Sequence, residues 1–161
     1  MALRLGGARL TAAFVSHDPP MPAEIDAMRF EARRIVSATP VVALSELVAV
    51  GGTASNLVKV LPGAMLDRRL DPERLRAALA SLGSEPAAAA AERYVINPTR
   101  ARLLPAGAVI LEAILAHFGL EALTVSEAGV REGLALAIAH VGVAWRDHLA
   151  ILARGWEDPS G

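Results

Sequence analysis

Ten residues, VVALSELVAV from Val41 to Val50, run with little polarity into Gly51 and Gly52. A short, mostly apolar run rich in β-branched residues and closed by a glycine pair fits a buried strand that leads into a tight turn. Helical patterns dominate on either side of it. A strand delivered into a helix, in a chain that is otherwise largely helical, restricts the fold to the α/β class with few strands and many helices.

The helical segments announce their own ends. Ile25, Met28, Ala32 and Ile35 recur at helical spacing over Pro22 to Ser37, with Pro22 suited to a first turn. The SHDPPMP segment ahead of it is a connector, since proline is excluded from helix interiors. Thr53 to Leu61 reads as a helix stopped by Pro62 and Gly63, and Asp71 is an N-cap for a helix through Leu82 that Gly83 closes. The alanine-rich Pro86 to Val95 is a further helix by propensity. Leu104, Ala108, Leu111, Leu115 and Phe118 mark a long amphipathic helix ending at Gly119, with His117 placed to complement its C-terminal dipole. Ala122 to Val125 is a second short strand, followed by a turn at Ser126 to Gly129 and another helix. Val141 to Trp156 reads as a last helix before a fraying tail. The expected organisation is one lobe over residues 1–139 and a C-terminal helix with its tail over 140–161.

Composition excludes several function classes. A chain of 161 residues with a net charge of −1 has no global field to attract nucleic acid or an anionic membrane. Hydrophobic residues make up 53%, but the longest uncharged stretches, such as Leu134 to Trp145, are too short to span a bilayer. MALRLGGARL lacks the apolar core of a secretory signal, so the expected location is the cytoplasm. With no cysteine there is no disulfide, thiolate zinc site or thiol nucleophile. His17, His117, His140 and His148 are scattered without metal-ligand spacing, so no protein metal site is expected.

The segment that points to chemistry is VAVGGTASNL, where Gly51, Gly52, Thr53 and Ala54 join the strand to a helix start. Free amides and the partial positive charge of a helix N-terminus favour a phosphate or nucleotide at such a point. It is not a P-loop, because no lysine precedes the hydroxyl residue, and it lacks the third glycine of a dinucleotide fingerprint. A plain strand-to-helix turn is the commoner reading of the same residues, since glycine so often marks turns. In SEAGVREGL, Glu127, Arg131 and Glu132 cluster around a helix start, with Glu127 and Arg131 four apart. That spacing is met either by a surface ion pair worth about 0.3–0.5 kcal/mol or by a polar hinge facing a cleft.

Four segments, in order, resemble the exopolyphosphatase and guanosine pentaphosphate phosphatase family, the Ppx/GppA group of the actin-like, sugar kinase and Hsp70 ATPase superfamily. LRLGGARLT, with DPP downstream, is similar to a family stretch at Arg9 and Thr11. GGTASNL resembles its Gly-Gly-Thr-Ala segment at Gly51 to Ala54. NPTRARLLPAGAVIL resembles its Pro-x-Arg-Ala-Asp-x-x-Pro-Ala-Gly helix entry, with Arg100, Pro105 and Gly107 matching; SEAGVREGL is similar to its closing signature. Arg102 stands where the family usually has aspartate, so an ion pair found in relatives is expected to be lost here.

The resemblance implies a ribonuclease-H-like lobe, the second of two, without its first strands and with an exposed sheet edge prone to aggregation or homo-oligomer formation. It also implies a parent enzyme that hydrolyses the terminal phosphoanhydride of polyphosphate or guanosine pentaphosphate with Mg²⁺, which this segment alone is not expected to bind. The catalytic glutamate and glycine-rich phosphate loops of the family are not matched, so no catalytic residue is assigned. Gly51, Gly52, Thr53 and Ala54 are expected to contact phosphate or nucleotide, and Glu127, Arg131 and Glu132 to lie at a hinge or cleft. The alternatives are a non-catalytic binding or regulatory module paired with a separate first lobe, and an ATP-preferring kinase or ATPase relative.

Overall fold

A computed structural model describes residues 3–152. They fall into two compact units, Met1–Glu127 and Ala128–Gly161.

The first unit is built around one helix. In order it contains α1 (Gly7–Phe14), α2 (Pro22–Ser37), β1 (Val48–Val50), α3 (Gly52–Val60), α4 (Ala64–Asp67), β2 (Arg69–Leu70), α5 (Pro72–Leu82), α6 (Ala87–Arg93), α7 (Pro98–Ala101), α8 (Leu104–Phe118) and β3 (Leu123–Ser126). Helix α8 packs against α1, α2, α3 and α5. Every residue from Leu104 to Val109 is buried, as expected of a helix start surrounded by neighbours. Gly119, at φ 66°, ends it in the left-handed conformation that glycine adopts without steric cost.

Local chemistry explains the helix ends. Asp71 Oδ1 accepts from the Arg74 amide at 2.8 Å and Pro72 fills the first turn of α5, while Leu75, Ala78, Leu79 and Leu82 form its buried stripe. At the start of α2 the Glu24 carboxylate accepts from the Met21 amide (2.9 Å), the Ser16 amide (2.8 Å), Ser16 Oγ (2.7 Å) and His17 Nδ1–H (2.9 Å). These four donors hold its carboxyl well below the usual carboxylate range, the Ser16 hydroxyl contributing most. One charge thereby ties the α1–α2 connector to the helix it precedes.

The three strands form one sheet in the order β1-β3-β2, with β1 parallel and β2 antiparallel to β3. The expected strand over Val41 to Val50 is shorter and less buried than its composition implied. Only Val48–Val50 pair, and Val41, Val42, Leu44, Val48 and Val50 are all exposed, Val50 at 61%. A β-branched run becomes a strand only as far as a partner reaches; here β3 offers pairing to β1 on one side, and among the described residues no strand pairs with the other side. The two residues of β2 carry no signal of their own.

The second unit contains α9 (Val130–Val141), a 3₁₀ turn at Gly142–Arg146 and α10 (Leu149–Leu152). The expected single helix from Val141 is interrupted, because Gly142 at φ 66° cannot continue α9. The remainder of that expected helix, with Trp156 and the tail, lies outside the described residues. Among those described, no helix is long and apolar enough to cross a membrane.

Candidate functional site

Parallel pairing decides which residues share one end of the sheet. Val50 stands opposite Ser126, so Gly51 and Glu127, the next residues in each chain segment, leave the sheet at the same edge. That edge carries the carboxyl ends of both parallel strands, where open α/β sheets bind ligands. Two sequence motifs 76 residues apart therefore converge through backbone register alone.

Gly51 turns the chain there. At φ 99° it occupies a region closed to side-chain-bearing residues, and its carbonyl accepts both the Ser55 amide (3.2 Å) and Ser55 Oγ (3.1 Å). The first amides of a helix have no acceptor within it, which leaves those of Gly52, Thr53 and Ala54 as donors. No acidic side chain occupies the first turn of α3 to compete with an anion. The Ala54 side chain is buried in the core, so this residue offers only its main chain.

Two close approaches fix that helix start. A Cβ on Gly52 would overlap Nη1 of Arg100 and lie 3.2 Å from its Cζ, so the guanidinium rests directly against the Gly52 backbone. A Cβ on Gly107 would overlap Cγ2 of Thr53, so α3 is seated on α8 with no room between them. The motif reading matched Arg100 and Gly107 without assigning them a place. The structure brings a side chain of permanent positive charge against the backbone at the start of α3.

Glu127 is also re-partnered. It precedes α9, so its spacing of four from Arg131 is not a helical one; its Oε1 accepts from Arg68 Nη1 at 2.5 Å instead. Arg68 donates from Nε to the Val125 carbonyl at 2.9 Å, bracing the end of β3. Arg131 and Glu132 belong to the second unit, where Glu132 Oε2 accepts the Gly129 amide at 2.8 Å as a helix cap. His117 Nε2 lies 2.9 Å from the Thr39 carbonyl, a hydrogen bond to a residue 78 positions earlier in addition to its helix-terminal position. Arg102, expected to lose a partner, has Asp18 at 3.8 Å, a contact worth about 0–1 kcal/mol at this exposure.

Metal chemistry finds no donor set of the usual kind. Among the described residues no three His, Asp or Glu side chains converge on one point. The Mg²⁺ that the resemblance implies for an intact enzyme has no such donor set among the described residues.

A search of the curated proteins found no match. Among solved structures, the chain is similar to the crystal structure of the Aquifex aeolicus Ppx/GppA phosphatase, type II variant, with a TM-score of 0.75 at 22% identity over 85% of this chain and 48% of that one. A second crystal structure of the Aquifex aeolicus family member matches at the same TM-score and identity, over 86% and 48%. An exopolyphosphatase-like protein matches with a TM-score of 0.65 at 20% identity, over 88% and 50%. The chain thus spans about half the length of these structures. The model of the Ppx/GppA phosphatase family matches residues 1–141, and the chain belongs to that family.

Proposed function

We propose that this chain is the phosphate-holding part of a phosphatase that hydrolyses the terminal phosphoanhydride bond of inorganic polyphosphate or guanosine pentaphosphate. In this reading the chain supplies much of a second, ribonuclease-H-like lobe. The amides of Gly52, Thr53 and Ala54, with the Arg100 guanidinium, hold an anionic ligand at the carboxyl edge of β1 and β3. Arg131 and Glu132, following Glu127, belong to the hinge of the cleft. The observation that carries this is the contact of Arg100 with the Gly52 backbone at a helix start without acidic residues. A terminal phosphate leaves with charge accumulating on its oxygens, and fixed donors aimed at those oxygens lower the cost.

The residues described here orient phosphate and neutralise its charge; the group that readies water for attack lies in the half of the family's length that this chain does not span. Phosphate release from polyphosphate, measured for the chain alone and for a version extended by an upstream family lobe, tests the division. Release by the extended version only is expected. Turnover by the 161 residues alone would overturn it.

A further inference from the structure

Helices α2 and α5 both pack on α8, and a cavity of about 310 Å³ lies between them. One wall is Pro22, Ile25, Asp26 and Arg29 of α2; the other is the end of α5 at Leu79 and Gly83. It shares no residue with the sheet edge where Gly51 and Glu127 meet. We propose that this cavity binds a small organic ammonium ion, a primary amine whose apolar body is one ring or a short carbon chain.

Charge sets the head of the ligand. Arg29 donates from Nη1 to Asp26 Oδ1 at 2.6 Å and from Nε to Glu112 Oε2 of α8 at 3.0 Å. One guanidinium held between two carboxylates leaves an excess of negative charge. Asp26 is the open partner, its side chain 72% exposed against 13% for Glu112. It gives one oxygen to Arg29, and a carboxylate accepts about four hydrogen bonds. The end of α5 adds the same sign, because the last carbonyls of a helix carry a partial negative charge and the last turn of α5 has no basic residue to offset it. The two features meet: a Cβ on Gly83 would lie 4.0 Å from Ile25 Cδ1, so the residue next to Asp26 faces the cap of α5. An ammonium ion there answers both, whereas an anion would be repelled by both.

Size and walls set the body. Sites for small molecules begin at about 300 Å³, so this cavity suits a ligand at the small end of that range. From Asp26 back to Pro22 is four residues, about 6 Å along α2, which one ring or about five carbons would span. That stretch is apolar on both sides, with Ile25 on α2 and the buried Leu79 on α5. Pro20 and Pro22 line it with rings that carry no amide hydrogen to keep solvated. In the other direction stands the Arg29 guanidinium, so a second ammonium on the same ligand would meet a like charge. Burial of the body drives entry, and Asp26 selects the sign of the head.

The test is titration of the full chain, followed through its amide chemical shifts, with three probes. These are 2-phenylethylammonium; 3-phenylpropanoate, which keeps the ring and reverses the charge; and methylammonium, which keeps the charge and lacks the ring. The titration is repeated on Asp26→Asn and on Ala80→Leu, which fills the cavity from its α5 wall, with circular dichroism confirming that each variant is folded. Saturable binding of 2-phenylethylammonium is expected, with shifts centred on Ile25, Asp26 and Gly83 and an affinity about fivefold or more above either other probe. Asp26→Asn should weaken it about two- to fivefold, as for an exposed ion pair, and Ala80→Leu should abolish it. Equal affinity for the propanoate would overturn the ammonium assignment, and equal affinity for methylammonium the apolar body. Undiminished binding by Asp26→Asn would remove the role of that carboxylate. Absence of saturable binding, shifts centred on other residues, or full affinity in Ala80→Leu would each overturn the site; should Ala80→Leu not fold, the shifts and the Asp26→Asn result decide.

Discussion

Gly107→Ala probes the seat of the phosphate-facing helix directly. The added methyl overlaps Cγ2 of Thr53, while the next atoms, Thr53 Cβ and Oγ1, stand at ordinary contact distances of 3.6 and 3.9 Å. Overpacking at a site with no slack costs about 1–3 kcal/mol, and replacing a helical glycine by alanine returns about 1 kcal/mol. The expected net effect is a loss of about 0–2 kcal/mol. Thr53→Ser deletes the one overlapping carbon. In that background the same Gly107→Ala change should become stabilising by about 1 kcal/mol, since only the propensity gain remains. Urea unfolding of the four proteins, with constant m-values, closes the cycle and should return a coupling of about 1–3 kcal/mol. An effect of Gly107→Ala that is the same in both backgrounds would refute the packing of α3 on α8 described above.

Asp71→Ala removes the side-chain acceptor at the start of α5 and should lower stability by about 0.5–2 kcal/mol in urea unfolding, with Asp71→Asn retaining most of it. Glu24 titrates lower in the folded than in the unfolded chain, so its contribution is complete above the ordinary glutamate range near about 4.3 and is lost as the pH falls toward the depressed folded value. Thermal unfolding followed from neutral to acid pH should therefore show a decline that Glu24→Gln flattens; identical pH profiles would refute it. Val50→Lys places a charge on the open edge of β1 and should reduce concentration-dependent association in light scattering. A wild-type chain that stays monomeric at high concentration would show that the edge needs no such protection.

The sequence made legible those features that depend on neighbours a few residues away. Helices α2, α5 and α8 carry their period, their prolines and their caps within themselves, and each appears where those signals place it. Strand length is a different matter, because Val41 to Leu44 are as apolar as Val48 to Val50 yet join no strand. Helix α1 carries little signal because GARLTAAF is short and preceded by a glycine rather than a side-chain cap. The glycine turn of the site was readable from Gly51 and Gly52. Its charge was not, since Arg100 reaches Gly52 across 48 positions, and Glu127 finds Arg68 across 59 rather than Arg131 across four. Contacts of that range arise from the packing of α7 and α8 and from the register of β1 on β3.

The most direct measurement is the affinity of the intact chain for tripolyphosphate, compared with that of Arg100→Gln at fixed ionic strength. A phosphate seated between the α3 amides and the guanidinium should bind the variant about tenfold or more weakly, in keeping with about 1.5–3 kcal/mol for a hydrogen bond to a charged group. Equal affinity in the two proteins would contradict the assignment of this sheet edge as the place where the family's anionic ligand is held.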